Sequence, residues 1–203
     1  MVPIYSIDDS DGVERALAAI RAGQIIAFPT DTLYGVGGNA LSAAVMQRVR
    51  DAKRRDAVKA VPVLLSSVDE VARLAASWPA GAARLAARYW PGPLTIVVPA
   101  LARVPDGAQS EGAVALRVPG LASLRDLIRR AGCPLIGTSA NVSGEPAAVT
   151  ASEAAAAVGG SVSLVLDGGR VGGAPSTIVS IEGGRLRVLR EGAISASELL
   201  AGR

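Results

Sequence analysis

Histidine is absent from the 203 residues of this chain, and Cys133 is its single cysteine. The usual ligand sets for zinc and non-haem iron are therefore missing, and no internal disulfide can form. Serine and cysteine triads of the usual kind need an imidazole, so they are excluded as well. Any catalysis by this chain must proceed without histidine.

Aromatic residues make up only 3% of the chain and charged residues 19%, whereas half of the sequence is hydrophobic. This balance excludes general disorder and supplies enough apolar side chains for a full core. It gives little support to stacking on single-stranded bases, which needs aromatic side chains. The longest uncharged stretch, 32–47, is 16 residues long and falls short of the roughly 20 that a membrane span requires. The acidic N-terminal segment lacks the order of a signal peptide, so we expect a cytoplasmic protein without a membrane partner.

Lysine is scarce, and its two copies lie in one short basic segment. Residues 48–59 hold six basic and two acidic side chains, a local charge of +4 against +3 for the whole chain. One interpretation is a solvated helix face, since the helix dipole favours cations at the C-terminal end. The other is an anion site, because four neighbouring bases suit a triphosphate that carries about −4. The segment alone leaves both open.

Hydrophobic periodicity alternates between the helical and the strand type along the chain. Helices are predicted at 11–22, 42–52, 121–131, 151–158 and 196–201, with two more after Ser67 and before Tyr89. Strands are predicted at 25–28, 61–65, 94–98, 114–118, 134–137 and 162–166, followed by a hairpin at 177–189. The pattern predicts one α/β domain over residues 1–203, with a twisted mixed β-sheet flanked by helices.

Glycine-rich and hydroxyl-rich loops adjoin several of these strands. Residues 29–38, 137–144 and 173–177 each combine glycine with threonine, serine or asparagine, which offer hydrogen bonds to anionic oxygens. None contains a dinucleotide fingerprint or a Walker loop, and each taken alone is also typical of a tight or capped turn. Arg117 is a lone base within an apolar strand, and a buried position there would require an anionic partner.

Six short motifs occur in one order along nearly the whole chain. They are Pro29-Thr30-Asp31-Thr32-x-Tyr34-Gly35, Lys53-x-Arg55, Trp90-Pro91-Gly92-Pro93-Leu94-Thr95, Ala115-Leu116-Arg117-Val118-Pro119, Ser139-Ala140-Asn141-x-Ser143-Gly144 and Ser176-Thr177-Ile178. In this order they resemble the YrdC-like family in its short, single-domain form. Each motif alone is modest, but six in order make a chance similarity implausible.

The resemblance implies a YrdC-like fold and the activity of an L-threonylcarbamoyladenylate synthase, which is a nucleotidyltransferase. That reaction joins L-threonine, bicarbonate and ATP, releases pyrophosphate, and serves the N6-threonylcarbamoyladenosine modification of tRNA. The implied partners are these three substrates, a downstream tRNA threonylcarbamoyl-transferase complex, and tRNA or double-stranded RNA. Mg²⁺ is implied as an ion carried by ATP, with no metal ligand from the chain. Such chemistry needs positioning and charge neutralisation more than a protein nucleophile, so the lack of histidine is no obstacle.

The family pattern also implies roles for individual residues. Threonine-binding positions are occupied by Thr32, Arg117 and Ser176, with Arg117 as the partner of the amino-acid carboxylate. Catalytic positions are occupied by Lys53 and Arg55. ATP-binding positions are occupied by Arg55, Lys59, Ser139, Asn141 and Arg190. If the cations of the basic segment are exposed at a helix end, neutralising them should barely change the melting temperature.

Three positions depart from the family pattern. Gly137 stands where serine or alanine is common, Leu64 where many members have histidine, and Ala113 where threonine or serine is common. A ligand contact through the side chain at Gly137 or Leu64 is therefore not implied here. The arginines and lysines of the family pattern are all present.

Two other functions fit parts of the sequence. A YrdC-like module without synthase activity would bind double-stranded RNA or tRNA, with residues 48–59 as the basic surface. A carbamoyl-transfer enzyme like the related domains of hydrogenase maturation is the second alternative. Those domains sit in much longer chains with acylphosphatase and zinc-finger parts, which 203 residues with one cysteine do not provide. The synthase is therefore the favoured hypothesis.

Overall fold

In the computed structural model, which describes residues 1–53 and 61–201, helices and strands alternate along the chain. The α-helices are α1 (Ser10–Arg21), α2 (Ala43–Lys53), α3 (Ala80–Tyr89), α4 (Ala122–Ala131), α5 (Ala151–Val158) and α6 (Ala196–Ala201), and a 3-10 helix spans Val68–Arg73. The strands are β1 (Ile4–Ser6), β2 (Ile26–Phe28), β3 (Gly35–Gly37), β4 (Val63–Leu64), β5 (Leu94–Pro99), β6 (Gln109–Ser110), β7 (Ala113–Arg117), β8 (Leu135–Ile136), β9 (Thr138–Ser139), β10 (Val165–Asp167), β11 (Thr177–Glu182) and β12 (Arg185–Arg190). None of the helices in the described ranges combines the length and the apolar character needed to cross a bilayer.

The strands form two sheets of mixed direction. The first has the order β1-β10-β2-β3-β9 and is parallel up to β2 and antiparallel beyond it. The second has the order β12-β11-β5-β7-β4-β8, with β6 beside β7; its β11–β5 and β4–β7 pairs are parallel and the others antiparallel. The predicted α/β class with mixed strands is confirmed, and the strands divide between two sheets.

Helix α1 shows how local sequence produces the covering layer. It begins after Asp9, whose carboxylate accepts a hydrogen bond from Gly12 N at 3.1 Å. A cap of this kind stabilises a helix by about 1 kcal/mol. Leu17 and Ile20 lie three residues apart on the buried face and join one apolar cluster with the inner face of α4. The two helices therefore pack side by side.

The main hydrophobic core joins the two sheets. Ala27 and Val36 from the first sheet and Ile96 and Leu116 from the second are fully buried in the same cluster. Burial of such side chains is the dominant stabilising term for the fold. The relative placement of the two sheets is thus set by shared packing.

The sheets meet where β8 passes into β9 through a single residue, Gly137. Ile136 N donates to the carbonyl oxygen of Gly38 at 2.9 Å across this junction. A Cβ atom on Gly37 would lie 1.8 Å from the carbonyl oxygen of Ile136, so only glycine permits this approach. The junction brings the loops of the first sheet against strands of the second.

Candidate functional site

A cleft of about 730 Å³ opens beside the junction of the two sheets. Seven of the residues predicted for the site line it, namely Thr32, Lys53, Arg117, Ser139, Asn141, Ser176 and Arg190. Thr32 lies in the loop after β2, Lys53 at the end of α2, and Arg117 and Arg190 at the ends of β7 and β12. Ser139 lies in β9, Asn141 in the loop after it, and Ser176 in the loop before β11. The other two predicted residues, Arg55 and Lys59, lie outside the described residues. The fold therefore gathers motifs that are far apart in the sequence.

The loop between β2 and β3 is built around the hydroxyl of Thr30. Its oxygen accepts hydrogen bonds from Thr32 N at 3.0 Å and from Leu33 N at 3.1 Å, and it lies 2.7 Å from the carbonyl oxygen of Leu33. Side chains of this type commonly close such turns. The Thr30 hydroxyl is committed to the turn, whereas that of Thr32 reaches across to the second sheet.

Arg117 is buried, with 5% of its surface exposed, and within the described residues it makes three polar contacts. Its Nη2 donates to Asp31 Oδ1 at 2.7 Å, its Nη1 to Thr32 Oγ1 at 3.0 Å, and its Nε to the carbonyl oxygen of Gly92 at 3.0 Å. Burial lowers the pKa of Arg117, and the charge and hydrogen bond of Asp31 act in the opposite direction. The anionic partner that a buried strand arginine requires is therefore Asp31, a residue to which the sequence analysis assigned no role.

Ser176 and Arg190 form a second polar contact at the cleft. Arg190 Nη2 donates to the carbonyl oxygen of Ser176 at 2.8 Å, and the Ser176 hydroxyl lies 2.8 Å from that of Thr95. Burial lowers the pKa of Arg190, and the positive charge of Arg117 lowers it further. The two guanidinium groups therefore interact electrostatically, and together they place positive charge at one end of the cleft.

Lys53, at the end of α2, holds the segment after β8. Its Nζ donates to Asn141 Oδ1 at 2.9 Å, to the carbonyl oxygen of Asn141 at 3.1 Å and to the carbonyl oxygen of Ser139. The Ser139 hydroxyl in turn donates to Asn141 Oδ1 at 2.6 Å. Only 3% of Lys53 is exposed, so the expectation of an exposed helix-end cation is wrong for this residue. The buried ammonium group instead orders the Ser139 and Asn141 side chains.

Tyr34 ties the first motif to the loop after β10. Its hydroxyl lies 2.7 Å from the carbonyl oxygen of Gly169 and 3.1 Å from Asp167 Oδ1, and it accepts a hydrogen bond from Gly168 N at 3.1 Å. The ring is fully buried, and this burial raises the pKa of Tyr34 to about 12. The phenol therefore stays protonated and acts as a donor at every ordinary pH.

The raised pKa of Tyr34 predicts a loss of stability in alkali. The folded state keeps the phenol neutral above its ordinary pKa of 10.0, while the unfolded chain ionises there. The stabilisation from the hydroxyl is present below pH 10 and declines as the pH approaches 12, by at most about 3 kcal/mol. Denaturant unfolding at several pH values, for wild type and Tyr34→Phe, should show their stability difference shrinking over this interval. A difference that stays constant would contradict the assignment.

The described residues that line the cleft are unevenly charged. Lys53, Arg117 and Arg190 are cationic, and none of the other lining residues is acidic. No group of three or more histidine, cysteine, aspartate or glutamate side chains in the described part of the chain is placed to hold a metal ion. Cationic donors, hydroxyls and an amide at one site suit phosphate and carboxylate oxygens.

A comparison with protein-family models places the chain in a known family. The model for the Sua5, YciO and YrdC proteins, described as telomere recombination, matches residues 18–192. The chain belongs to the Sua5/YciO/YrdC family. The motif order and the grouping of those motifs in one cleft agree with this membership.

Relatives within the Sua5/YciO/YrdC family match nearly the whole chain. A Mycobacterium tuberculosis protein is 38% identical over 194 residues, which cover 94% of this chain and 88% of the relative. The threonylcarbamoyl-AMP synthase of Pyrococcus abyssi is 35% identical over 191 residues, which cover 92% of this chain but 56% of that enzyme. The crystal structure of P. abyssi Sua5 complexed with L-threonine matches with a TM-score of 0.92 at 32% identity, covering 99% of this chain and 60% of that one. The chain thus spans somewhat more than half of the Pyrococcus protein.

Two of the departures from the family pattern contact each other in the structure. A Cβ atom on Gly137 would lie 2.5 Å from both Cγ and Cδ1 of Leu64. Leu64 is 1% exposed and packs in the cluster of α1 and α4, so its side chain has little room to move. Both residues line the cleft, where the leucine occupies the space that a side chain at Gly137 would need.

This contact predicts that substitutions at Gly137 and Leu64 are coupled. Gly137→Ala should destabilise the protein by about 1–3 kcal/mol through overpacking, and less in a Leu64→Val background. Denaturant unfolding of both single variants and the double variant measures the coupling. Gly160→Ala serves as the control, because a Cβ atom there meets nothing within 4 Å. Equal costs in both backgrounds would exclude the steric link.

Proposed function

We propose that this chain is an L-threonylcarbamoyladenylate synthase, which forms threonylcarbamoyl-AMP and pyrophosphate from L-threonine, bicarbonate and ATP. The observation that carries the proposal is the convergence of three cations, several hydroxyls and one amide in a single cleft. The reactants bring a carboxylate, a carbamate and a triphosphate together, and such a site offsets their charge. The name of the Pyrococcus relative and the threonine complex of its structural counterpart support the same reaction.

L-Threonine is assigned to the end of the cleft that contains Thr32, Arg117 and Ser176. Within the described residues, Arg117 makes one hydrogen bond from each of its three nitrogens, which leaves two N–H groups for the oxygens of a carboxylate. The hydroxyls of Thr32 and Ser176 are placed to bond the polar groups of the amino acid. Both residues are buried, so these hydrogen bonds would form away from bulk water.

ATP is assigned to the part of the cleft that contains Ser139 and Asn141, together with Arg55 and Lys59. Arg190 is assigned to the nucleotide from beside the threonine end, where it contacts Ser176. Lys53 supports this end by ordering the serine and the asparagine. We propose that Mg²⁺ binds together with the nucleotide and that phosphate oxygens supply its ligands. Omission of Mg²⁺ or addition of a chelator is therefore expected to stop the reaction through its effect on ATP.

The proposed chemistry proceeds in two steps. The threonine amine adds to carbon dioxide derived from bicarbonate, which forms a carbamate and releases a proton. A carbamate oxygen then attacks the α-phosphate of ATP, and the bond to pyrophosphate breaks as the new bond forms. The cleft contributes by holding the reactants together and by placing positive charge beside the developing negative charge. Neither step needs an imidazole.

The product is a labile mixed anhydride, so a consuming enzyme must act on it soon. We propose that a tRNA threonylcarbamoyl-transferase complex takes it for the N6-threonylcarbamoyladenosine modification of tRNA, in the cytoplasm. Direct tRNA or double-stranded RNA binding by residues 48–59 is the alternative role. All of that segment beyond Lys53 lies outside the described residues, whereas the cleft is described.

The reaction itself gives the direct test. The purified chain is incubated with labelled bicarbonate, L-threonine, ATP and Mg²⁺, and pyrophosphate and the labelled adenylate are measured. We expect both products to appear together and only when threonine is present. Formation of ADP and phosphate alone, or of product without threonine, would exclude the proposal. Salt-sensitive RNA binding by a chain that forms no adenylate would favour the RNA-binding module.

A further inference from the structure

We propose that Asp31 is a positioning residue, whose carboxylate sets the direction in which the Arg117 guanidinium faces the cleft. The substrate named for this role, L-threonine, rests on the proposed function, whereas the contact itself rests on the geometry of this chain. Asp31 is absent from the lining of the cleft. Its role is therefore assigned through its contact with Arg117, which does line the cleft.

Three acceptors hold the guanidinium, one on each nitrogen. Gly92 contributes a backbone carbonyl, Thr32 a hydroxyl, and Asp31 the only carboxylate, at 2.7 Å from Nη2. Contacts on all three nitrogens define both the position and the plane of the group. The charge-assisted contact is the strongest of them, because an ionised acceptor makes a shorter and stronger hydrogen bond.

Asp31 is itself held from two sides. The turn closed by the Thr30 hydroxyl fixes the backbone next to it, through Thr32 N at 3.0 Å. On the other side, a Cβ atom on Gly120 would lie 2.9 Å from Asp31 Oδ2 and 3.0 Å from its Cγ. The backbone at Gly120 therefore lies close to the carboxylate and limits its movement on that side.

The negative charge of Asp31 also offsets the electrostatic repulsion between Arg117 and Arg190. Both arginines line the cleft, and after burial the positive charge of Arg117 is the second cause of the lowered pKa of Arg190. The Asp31–Arg117 ion pair has side chains that are 19% and 6% exposed, so solvent screens it little. Without Asp31, both repulsion and fewer contacts would displace the Arg117 guanidinium.

Two substitutions of Asp31 separate orientation from charge. Asp31→Ala removes the acceptor, while Asp31→Asn keeps an oxygen at the same place and removes the charge. Asp126→Ala is the control, because Asp126 is an exposed carboxylate that pairs with Arg129 and Arg130 on α4. L-Threonine binding is measured by calorimetry without ATP, and KM for each substrate is measured in the synthase assay.

We expect Asp31→Ala to weaken threonine binding by about 10- to 100-fold, the usual consequence of a misplaced binding group, and to leave the KM for ATP near the wild-type value. Asp31→Asn should recover part of this loss, and Asp126→Ala should behave as wild type. Gly120→Ala is a second, independent probe, since its methyl group displaces Asp31 without changing it. It should weaken threonine binding with the same selectivity.

Two results would overturn the inference. One is an Asp31→Ala protein that binds threonine as tightly as wild type. The other is an equal loss for threonine and ATP in both Asp31 variants together with a lower melting temperature, which would make Asp31 a purely structural residue. Failure of the proposed function is distinct, because it appears as a wild-type protein that binds threonine yet forms no adenylate.

Discussion

Arg117→Ala should raise the KM for L-threonine far more than the KM for ATP. Loss of a charge-assisted pair with a desolvated partner costs about 2–5 kcal/mol, which is roughly 30- to 5,000-fold in affinity. The buried position of Arg117 places its effect at the strong end of such interactions. Steady-state rates of pyrophosphate release, with each substrate varied in turn, measure the two constants.

Two further variants, one conservative and one a control, show how the result for Arg117→Ala is to be interpreted. Arg117→Lys keeps a positive charge but loses the planar fork, so it should recover only part of the threonine affinity. Arg129→Ala removes an exposed arginine that is paired with Asp126, and it should leave both constants unchanged. If Arg117→Ala affects threonine and ATP equally, its role is structural.

Lys53→Met should lower both the stability of the protein and its use of ATP. Methionine keeps the length of the side chain but removes the ammonium group that serves Asn141 Oδ1 at 2.9 Å and the Asn141 carbonyl oxygen at 3.1 Å. Asn141 Oδ1 keeps the Ser139 hydroxyl as a donor, whereas the carbonyl oxygen of Asn141 loses its contact with Lys53. A buried acceptor left without a partner costs about 1–3 kcal/mol. Without the ammonium group, the Asn141 and Ser139 side chains would be positioned less firmly for nucleotide binding.

Thermal melting and the KM for ATP measure the effect of Lys53→Met. Arg48→Met is the matched control, because Arg48 is an exposed cation on the same helix, whose side chain contacts the carbonyl oxygen of Gly23. Removing an exposed cation and its surface hydrogen bond should cost about 1 kcal/mol or less. A Lys53→Met protein that melts like wild type and keeps its KM for ATP would contradict the role of Lys53 in ordering Ser139 and Asn141.

The helices and the longer strands followed from local sequence patterns. The predicted helix at 121–131 and strand at 94–98 correspond to α4 (Ala122–Ala131) and β5 (Leu94–Pro99), because amphipathic periodicity is a property of consecutive residues. Strands β1, β3, β6 and β9 were missed, and the helix predicted after Ser67 is a 3-10 helix. β3 is Gly-Val-Gly and β9 has two residues, so neither carries a strand signal of its own. β3 exists because it pairs with β2 on one side and with β9 on the other.

The site was predicted unevenly, for a related reason. The order of six motifs implied most of the residues that line the cleft, including Arg117 and Asn141. It did not indicate that Lys53 is buried, that Asp31 pairs with Arg117, or that Leu64 fills the space over Gly137. The carboxylate of Asp31 inside the first motif was the only sequence feature that suggested an ion pair there. A carboxylate in a loop is usually solvated, so this feature alone did not predict the pairing.

The amino-acid sequence thus specified the helices, the longer strands, the apolar faces and the family, because each depends on neighbouring residues or on motifs in order. Tertiary structure was needed to establish which groups are buried and which charges are paired. Asp31 and Arg117 lie 86 positions apart, and Lys53 and Asn141 lie 88 apart. Their contacts depend on the order of strands in two sheets and on the approach that Gly37 permits at the junction. Pairing between strands distant in the chain is a collective result of core packing, which no local pattern encodes.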